Sequence, residues 1–241
     1  MAYETIPPSG GGTCASDPWG DAAAAFVAEK VSTLVNVCFR SYCATAFTQE
    51  VELAAVTGAG ATVTQDVTKN GGVYLFDSGT TGSSYQVMRN KGSTAAAGIK
   101  TDLVANLRTS KWAKVVRAKV GTVGAGAQMD IVKLSDELTG DVILGVLGST
   151  STTNWLIRVT GQADVDTGVA FGATYMTVAL IADGTDLKAW NVDTGVQMGA
   201  SASQVNCIAA VGHIAMLCTN SAAASNTFSV DDIAVITEVA T

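Results

Sequence analysis

Residues 175–198, YMTVALIADGTDLKAWNVDTGVQM, decide the fold that this sequence predicts. Met176, Val178 and Leu180 alternate with residues of the other parity, which is the period-two pattern of a β-strand. The pair Asp183-Gly184 follows, and such a pair tolerates the positive φ of a tight hairpin turn. The chain then runs back through LKAWNV and turns again at DTG. The stretch predicts consecutive antiparallel strands with an apolar face, which a second sheet must cover.

The rest of the chain has the composition of a large β protein. Its 241 residues are 48% hydrophobic and only 15% charged, with 25 glycines. About a dozen short strand patterns follow residue 46, with turn signals roughly every 8–12 residues, as in sandwiches and jelly rolls. In the last pattern, Phe228 and Val230 share one parity while Ile233 and Val235 share the other, which predicts a β-bulge in a strand inside a sheet. We therefore predict an all-β fold, an antiparallel two-sheet β-sandwich, with residues 47–241 forming one jelly-roll domain.

The first 46 residues predict a flexible arm followed by one helix. Residues 1–16 are rich in Gly, Pro and Ser, and Asp17-Pro18 is suited to cap and begin a helix. Apolar residues then recur at spacings of three and four as far as Cys38, which predicts an amphipathic helix. Either this helix packs on the chain's own β domain, or it docks on neighbouring subunits. In the second case the candidate subunit interface consists of Val27, Val31, Leu34 and Val35.

Charge and cysteine usage limit the partners and the compartment. The net charge of −7 argues against a nucleic-acid partner, because binding phosphates needs a basic surface. No apolar run reaches the length of a membrane span. Residues 1–12 have neither the basic nor the apolar region of a signal peptide, so we expect a reducing cytosol and free thiols for the five cysteines. A small basic cluster is interpreted as the solvated face of one strand; it consists of Lys111, Lys114, Arg117 and Lys119.

Several short motifs are similar to those of a known superfamily. Residues 71–78 read GGVYLFDS, residues 112–120 read WAKVVRAKV and residues 229–233 read SVDDI. Together with the hairpin at Asp183-Gly184, they resemble the concanavalin A-like lectin/glucanase superfamily over residues 47–237. The resemblance implies a jelly roll, and its members serve as sugar binders, glycosidases, adhesion modules and accessory proteins on the capsids of tailed bacteriophages. The helical arm and the Ala/Thr/Gly-rich composition look most like the phage capsid decoration and cement proteins.

The resemblance also implies where glucanase chemistry would lie. Glycoside hydrolysis needs two carboxylates that flank one bond, and glucanases of this fold carry acidic residues at short spacing on one strand. The comparable strand here, residues 128–133, reads QMDIVK and holds one Asp and no Glu, while Asp136-Glu137 follows in a predicted turn. His213, the only histidine, has no G-x-S-x-G motif to accompany it. We therefore predict no catalytic, cofactor-binding or metal-binding residue, with calcium bound by turn aspartates left as an open alternative.

The tryptophans supply the candidate for lectin-like binding, which uses an exposed aromatic ring with polar neighbours. Trp155 is in phase with Ile157, which predicts a core residue. Trp190 is out of phase with Leu187 and Ala189, so its ring is expected on the other face of the strand. Trp190 is therefore the candidate glycan platform, with packing or a subunit contact as the alternatives.

These observations lead to one hypothesis of function and one alternative. The hypothesis is a non-enzymatic virion structural protein: a capsid decoration or cement subunit, made in the host cytoplasm, that stabilises a phage shell from the capsid surface through inter-subunit contacts. Its partners would be the major capsid protein and copies of itself in a homotrimer, with no cofactor, nucleic acid or membrane. The alternative is a carbohydrate-binding, lectin-like host-recognition or adhesion module whose partner is a glycan.

Overall fold

In the computed structural model, the described residues form a sandwich of two antiparallel sheets with one α-helix packed on its outside. The predicted all-β class and two-sheet architecture are confirmed. The predicted arm over residues 1–16, two of the cysteines and the predicted turn after residue 135 lie outside the described residues. The structure describes residues 18–42, 51–57, 61–66, 73–80, 85–90, 104–124, 128–135, 141–147, 151–209, 213–219 and 225–239.

Along the chain, the described strands pass several times from one sheet to the other. In chain order the described elements are α1 (Pro18–Lys30), β1 (Leu34–Tyr42), β2 (Val51–Thr57), β3 (Thr62–Asp66), β4 (Val73–Asp77), β5 (Tyr85–Asn90), β6 (Trp112–Val120), β7 (Gln128–Ser135), β8 (Asp141–Leu147), β9 (Ser151–Val159), β10 (Val165–Ala170), β11 (Met176–Ala182), β12 (Asp186–Asn191), β13 (Val196–Gln197), β14 (Ala202–Ser203), a 3-10 helix (Gln204–Asn206), β15 (His213–Thr219) and β16 (Thr227–Glu238).

Strands distant in sequence are neighbours in both sheets, as in a jelly roll. The first, sheet A, has the order β13-β12-β11-β6-β16-β4-β3, with β1 also paired to β16 and β14 also paired to β12. The second, sheet B, has the order β10-β9-β8-β7-β15-β5-β2. Every described pairing is antiparallel, and β7 lies at the centre of sheet B, between β8 and β15.

The hairpin predicted for residues 175–198 is confirmed in sheet A. Strand β11 pairs with β12 from Val178↔Asn191 to Ala182↔Leu187. Gly184 takes a φ of 99° in the turn, a conformation that few residues other than glycine adopt without strain. The other edge of β11 pairs with β6, so the hairpin extends the centre of the sheet.

The predicted helix is shorter than its apolar pattern suggested, and this part of the prediction is wrong. Helix α1 ends at Lys30, and the chain turns before β1 begins at Leu34. Val31, Ser32 and Thr33 have poor helix propensity, and residues 34–42 gain ladder hydrogen bonds by pairing with β16. The described helix is neither long nor apolar enough to cross a membrane. The division of the chain at residue 46 stays a prediction.

Two apolar clusters hold the described elements together. The larger fills the space between the sheets, and Trp155 belongs to it as predicted. The smaller lies on the outer face of sheet A and is covered by α1. Val27 and Leu34 are fully buried in this second cluster and Val31 packs against it, whereas the side chain of Val35 is 55% exposed. Of the four residues of the predicted subunit interface, only Val35 is exposed.

Strand β16 confirms the predicted bulge. Its register against β6 shifts between Val230 and Asp232, where the two phases of apolar residues meet. The strand lies inside sheet A, with β6 on one side and β4 and β1 on the other. Because β16 pairs with β1, it connects β1 to the other strands of sheet A.

Candidate functional site

A row of polar side chains lies on the outer face of sheet B, turned away from the core. Residues 130 and 133 of a regular strand would face opposite sides. In β7 the register shifts between Asp130 and Val132 against β8, and it shifts at the same place against β15. The resulting bulge brings the side chains of Asp130 and Lys133 to one face. We call this set the polar row; it consists of Gln128, Asp130, Lys133, Asn154, Arg158, Asp164 and Asp166.

Asp130 is the centre of the polar row, and its side chain is only 1% exposed. Its carboxylate accepts hydrogen bonds from Lys133 Nζ at 3.1 Å, from Gln128 Nε2 at 3.2 Å and from Arg158 Nη1 at 3.4 Å. A buried charge without such partners is strongly disfavoured, because the lost hydration is not replaced. The two cations therefore both compensate the carboxylate and fix its position.

Gly145 of β8 lies opposite Asp130 and permits the bulge. A Cβ on this residue would lie 2.2 Å from the carbonyl oxygen of Met129 and 3.2 Å from Cα of Asp130. Since both of these are backbone atoms, neither can swing aside as the end of a side chain would. Any larger residue at position 145 would push β7 and β8 apart at the centre of the polar row.

The polar row continues onto β9 and the start of β10, where it becomes accessible. Arg158 Nε donates to Asp164 Oδ1 at 3.3 Å, and Asn154 Nδ2 donates to Asp166 Oδ1 at 3.0 Å. The side chains of Arg158 and Asp164 are 22% and 18% exposed, and Asp166 is exposed. The row thus passes from a buried carboxylate to donors and acceptors that a ligand can reach.

Lys114 approaches the same strand from the interior. On β6 it shares the parity of Trp112 and Val116, so its side chain enters the core, where it is fully buried. Its Nζ donates to the carbonyl oxygen of Lys133 at 2.9 Å. Burial lowers the pKa of Lys114 well below its ordinary value of 10.5; the charge of Lys133 lowers it further, and that of Asp130 opposes the shift. The prediction that Lys114 belongs to a solvated face is wrong.

Trp190 lies far from the polar row in the topology, on the outer face of sheet A. Its predicted orientation away from Leu187 and Ala189 is confirmed. The ring contacts Phe26 of α1 edge-on, with centroids 6.0 Å apart, and Lys30 Nζ lies 4.8 Å from its centroid. The structure therefore places the candidate glycan platform against the helix and does not bring it together with the polar row.

Asp183, in the turn between β11 and β12, stabilises that turn itself. Asp183 accepts hydrogen bonds from the backbone N–H groups of Thr185 and Asp186, at 3.0 and 2.8 Å, and from Lys188 Nζ at 2.6 Å. Within the part of the chain that the structure describes, no group of three or more His, Cys, Asp or Glu residues is placed to hold a metal ion.

Comparison with solved structures relates this sandwich to carbohydrate-active enzymes. A β-1,3-glucanase from Mycobacterium marinum superposes with a TM-score of 0.57 at 12% identity, over 83% of this chain and 98% of its own. The catalytic domain of an endo-1,3-β-glucanase (laminarinase) from Thermotoga petrophila gives 0.56 at 11%, over 85% and 98%. A β-1,3-1,4-glucanase (lichenase) from a mouse hindgut metagenome gives 0.55 at 11%, over 83% and 99%. The chain has the jelly-roll fold of the glucanases. No family model and no curated protein sequence matches the chain.

These neighbours correct the predicted function. The expectation of a phage capsid decoration or cement subunit is wrong: these structures with the glucanase fold are glycosyl hydrolases and glucanases. The virion location stays a prediction. The prediction that the chain is not an enzyme is contradicted by the same finding. At these identities the likeness is one of fold. The resemblance to the concanavalin A-like lectin/glucanase superfamily is supported, and its narrowing to phage proteins is not.

Sequence reasoning singled out residues 128–133 only as the counterpart of the acidic glucanase strand, assigned no site residue to them and missed how their side chains meet. The signal was present in QMDIVK: Ile131 and Val132 are adjacent and both apolar, and both belong to the interior core. Two consecutive core residues break the alternation of a strand, which is what a bulge does. Arg158 carried no comparable signal, because its role depends on the pairing of β8 with both β7 and β9.

Proposed function

We propose that this chain is a carbohydrate-active protein that binds a saccharide along the polar row. The observation that carries the proposal is the row itself: a buried carboxylate paired with Lys133 and Arg158, from which accessible polar groups extend towards the edge of sheet B. Support comes from the fold, which is that of β-1,3- and β-1,3-1,4-glucanases. A β-linked glucan is therefore the ligand class to examine first.

The chemistry of the polar row suits a ligand with many hydroxyl groups. A sugar hydroxyl both donates and accepts hydrogen bonds. Arg158 and Asn154 offer donors, while Asp164 and Asp166 offer acceptors. Hydrogen bonds that involve a charged group contribute about 1.5–3 kcal/mol each, so a few of them give measurable affinity. Because the members of the row hold one another in place, little side-chain entropy is lost when the ligand binds.

Binding is tested by titrating β-1,3- and mixed-linkage glucan oligosaccharides into the wild type and two arginine variants. Arg158→Met should weaken binding by roughly 10- to 100-fold, since a charge-assisted hydrogen bond is lost. Arg117→Met is the matched control: Arg117 also pairs with an aspartate, Asp231, and its side chain is 26% exposed, but it lies on sheet A. The proposal fails if the wild type binds none of these glucans, or if both variants bind as the wild type does.

Hydrolysis of the bound glucan is a second candidate function. Glycoside hydrolysis needs two carboxyl groups on either side of one bond, roughly 5 to 9.5 Å apart. Asp130 and Asp164 are both held by one guanidinium, that of Arg158, at 3.4 and 3.3 Å. This shared partner makes them the pair of carboxylates to test for the acid and base roles. Gln128 and Lys133, which share the face of β7, supply no carboxylate.

An assay of reducing ends released from the same glucans measures this second candidate. Release by the wild type should disappear in both Asp130→Asn and Asp164→Asn, and it should persist in Asp186→Asn, a matched change at the edge of sheet A. No release by the wild type, or equal release by all four proteins, would remove the catalytic role and leave saccharide binding to be judged by the titration.

A further inference from the structure

The bulge that builds the polar row is contacted from the inside by Lys114 alone among the described charged side chains that reach the interior core. Strand β6, which carries it, belongs to sheet A, whereas the bulge lies on β7 of sheet B. The lysine side chain spans the gap between the two layers, and its Nζ donates to the carbonyl oxygen of Lys133 at 2.9 Å. A contact from one sheet thus fixes a backbone atom directly behind the polar side chains of the other.

We infer that Lys114 is a positioning residue for the saccharide site: its hydrogen bond to the Lys133 carbonyl holds the irregular part of β7 in the conformation that directs Asp130 and Lys133 to the outer face. This inference rests on the proposed function. It assigns to a core residue a role in recognition, although the residue lies on the opposite side of the sheet from the ligand.

The energetic reason is that a lysine is a costly residue to bury. Its amine or ammonium loses water, and a methionine of similar length would fill the same space without that cost. The hydrogen bond to a backbone carbonyl recovers part of the cost, and it does so at a bulge, where the ladder is irregular and the backbone has more freedom. Stability alone therefore does not account for a lysine at this position, whereas control of the bulge does.

The electrostatic coupling agrees with this arrangement. The charges of Lys133 and Asp130 act on the pKa of Lys114 in opposite directions, in keeping with the hydrogen bond from Lys114 Nζ to the carbonyl oxygen of Lys133. These two charges form the buried end of the polar row, on the opposite side of β7 from Lys114. A displacement of β7 on binding would therefore be transmitted to Lys114.

The experiment compares Lys114→Met with Lys119→Met, the same substitution on the same strand but on the outer face of sheet A, where Lys119 lies 5.6 Å from the ring centroid of Tyr175. In Lys114→Met we expect glucan affinity to fall by about 10-fold while the urea midpoint of unfolding stays equal or rises. Lys119→Met should change neither quantity. A residue with a merely structural role would not lower affinity in a protein of unchanged or greater stability.

A second measurement uses the wild type alone, so its result does not depend on whether a variant folds. In protein labelled with 13C-lysine, glucan binding should shift the Cε resonance of Lys114 and leave that of Lys119 in place. If the wild type binds glucan but Lys114→Met binds equally well, or the Lys114 resonance does not move, the inference is overturned and the proposed function stands. If the wild type binds no glucan, the proposed function fails first and the positioning role falls with it.

Discussion

At the scale of single residues, Lys114 is a charged residue type in a position that packing makes apolar. Its neighbours of the same parity on β6, among them Trp112 and Val116, are fully buried core residues. Burial lowers its pKa well below 10.5, because the protonated form loses more hydration than the neutral form does. The same residue that joins the two sheets should therefore make stability depend on pH.

The sign of this dependence follows from proton binding in the two states. The unfolded chain holds the Lys114 proton up to about pH 10.5, and the folded chain releases it at a lower pH. Between the lowered pKa and 10.5 the unfolded state binds more protons, so the free energy of unfolding rises with pH, by at most about 1.4 kcal/mol per pH unit. Below the lowered pKa the contribution is constant.

This contribution can be measured by urea unfolding of the wild type and of Lys114→Met, from neutral pH to about pH 9. It is the difference between the free energies of unfolding of the two proteins. As pH rises, the free energy of unfolding of the wild type should increase relative to that of the variant. Lys119→Met should follow the wild type. A constant difference across the range would show that Lys114 does not titrate there in the folded protein.

The residue scale is also where sequence reasoning was weakest. The strand 128–133 was compared with the acidic strand of the glucanases from its residues alone, yet its bulge was not foreseen. A bulge depends on the partners of the strand, here the close approach that Gly145 allows and the register on β15. Interactions between residues distant in sequence decide where a bulge forms, so the sequence of one strand does not predict it.

At the scale of elements, α1 and β1 act together as a cover for sheet A. Val27 of the helix and Leu34 at the start of the strand lie in one cluster with Val115, Ile181 and Ile236 of the sheet. Apolar residues spaced three and four apart predicted a helix as far as Cys38. This spacing is correct for α1, but beyond Lys30 the same spacing occurs by chance in residues that form a strand. Local propensity ends the helix, but pairing with β16, far along the chain, makes the strand.

Adjacent residues of β1 provide a matched test of this cover. Leu34→Ala should lower the free energy of unfolding by about 2–5 kcal/mol, because it leaves a cavity under α1. Val35→Ala should cost less than about 1 kcal/mol, since that side chain is 55% exposed. Chemical denaturation monitored by circular dichroism measures both. Equal losses for the two variants would contradict the packing of β1 and α1 on sheet A.

At the scale of the whole molecule, the sequence predicted the class and the layers because these follow from alternation and turn chemistry repeated over many strands. The order of strands in each sheet was not predictable in this way. It depends on long-range pairings, such as that of β16 with β1, β4 and β6. The function was predicted wrongly for a related reason: the fold is shared by many activities, and the arm and composition pointed to one group of them.

The described structure makes the two sheets and the helix parts of one packing unit, and this gives the last prediction. Trp112 of sheet A and Trp155 of sheet B both belong to the interior core, while Trp19 of α1 and Trp190 of β12 pack against the cluster on the outer face of sheet A. Neither sheet can separate without exposing the apolar face of the other. We therefore expect all four tryptophans to report a single unfolding transition, although the chain was predicted to divide at residue 46.

Protein labelled with 5-fluorotryptophan resolves the four residues by 19F NMR during urea titration. The four folded resonances should lose intensity at one common midpoint, and the unfolded resonances should appear at the same midpoint, as in a two-state transition. Earlier loss of the Trp19 and Trp190 resonances would mean that the helical segment unfolds as a separate unit. Different midpoints for Trp112 and Trp155 would contradict the shared core, because residues that fill one interior between two sheets must lose their packing together.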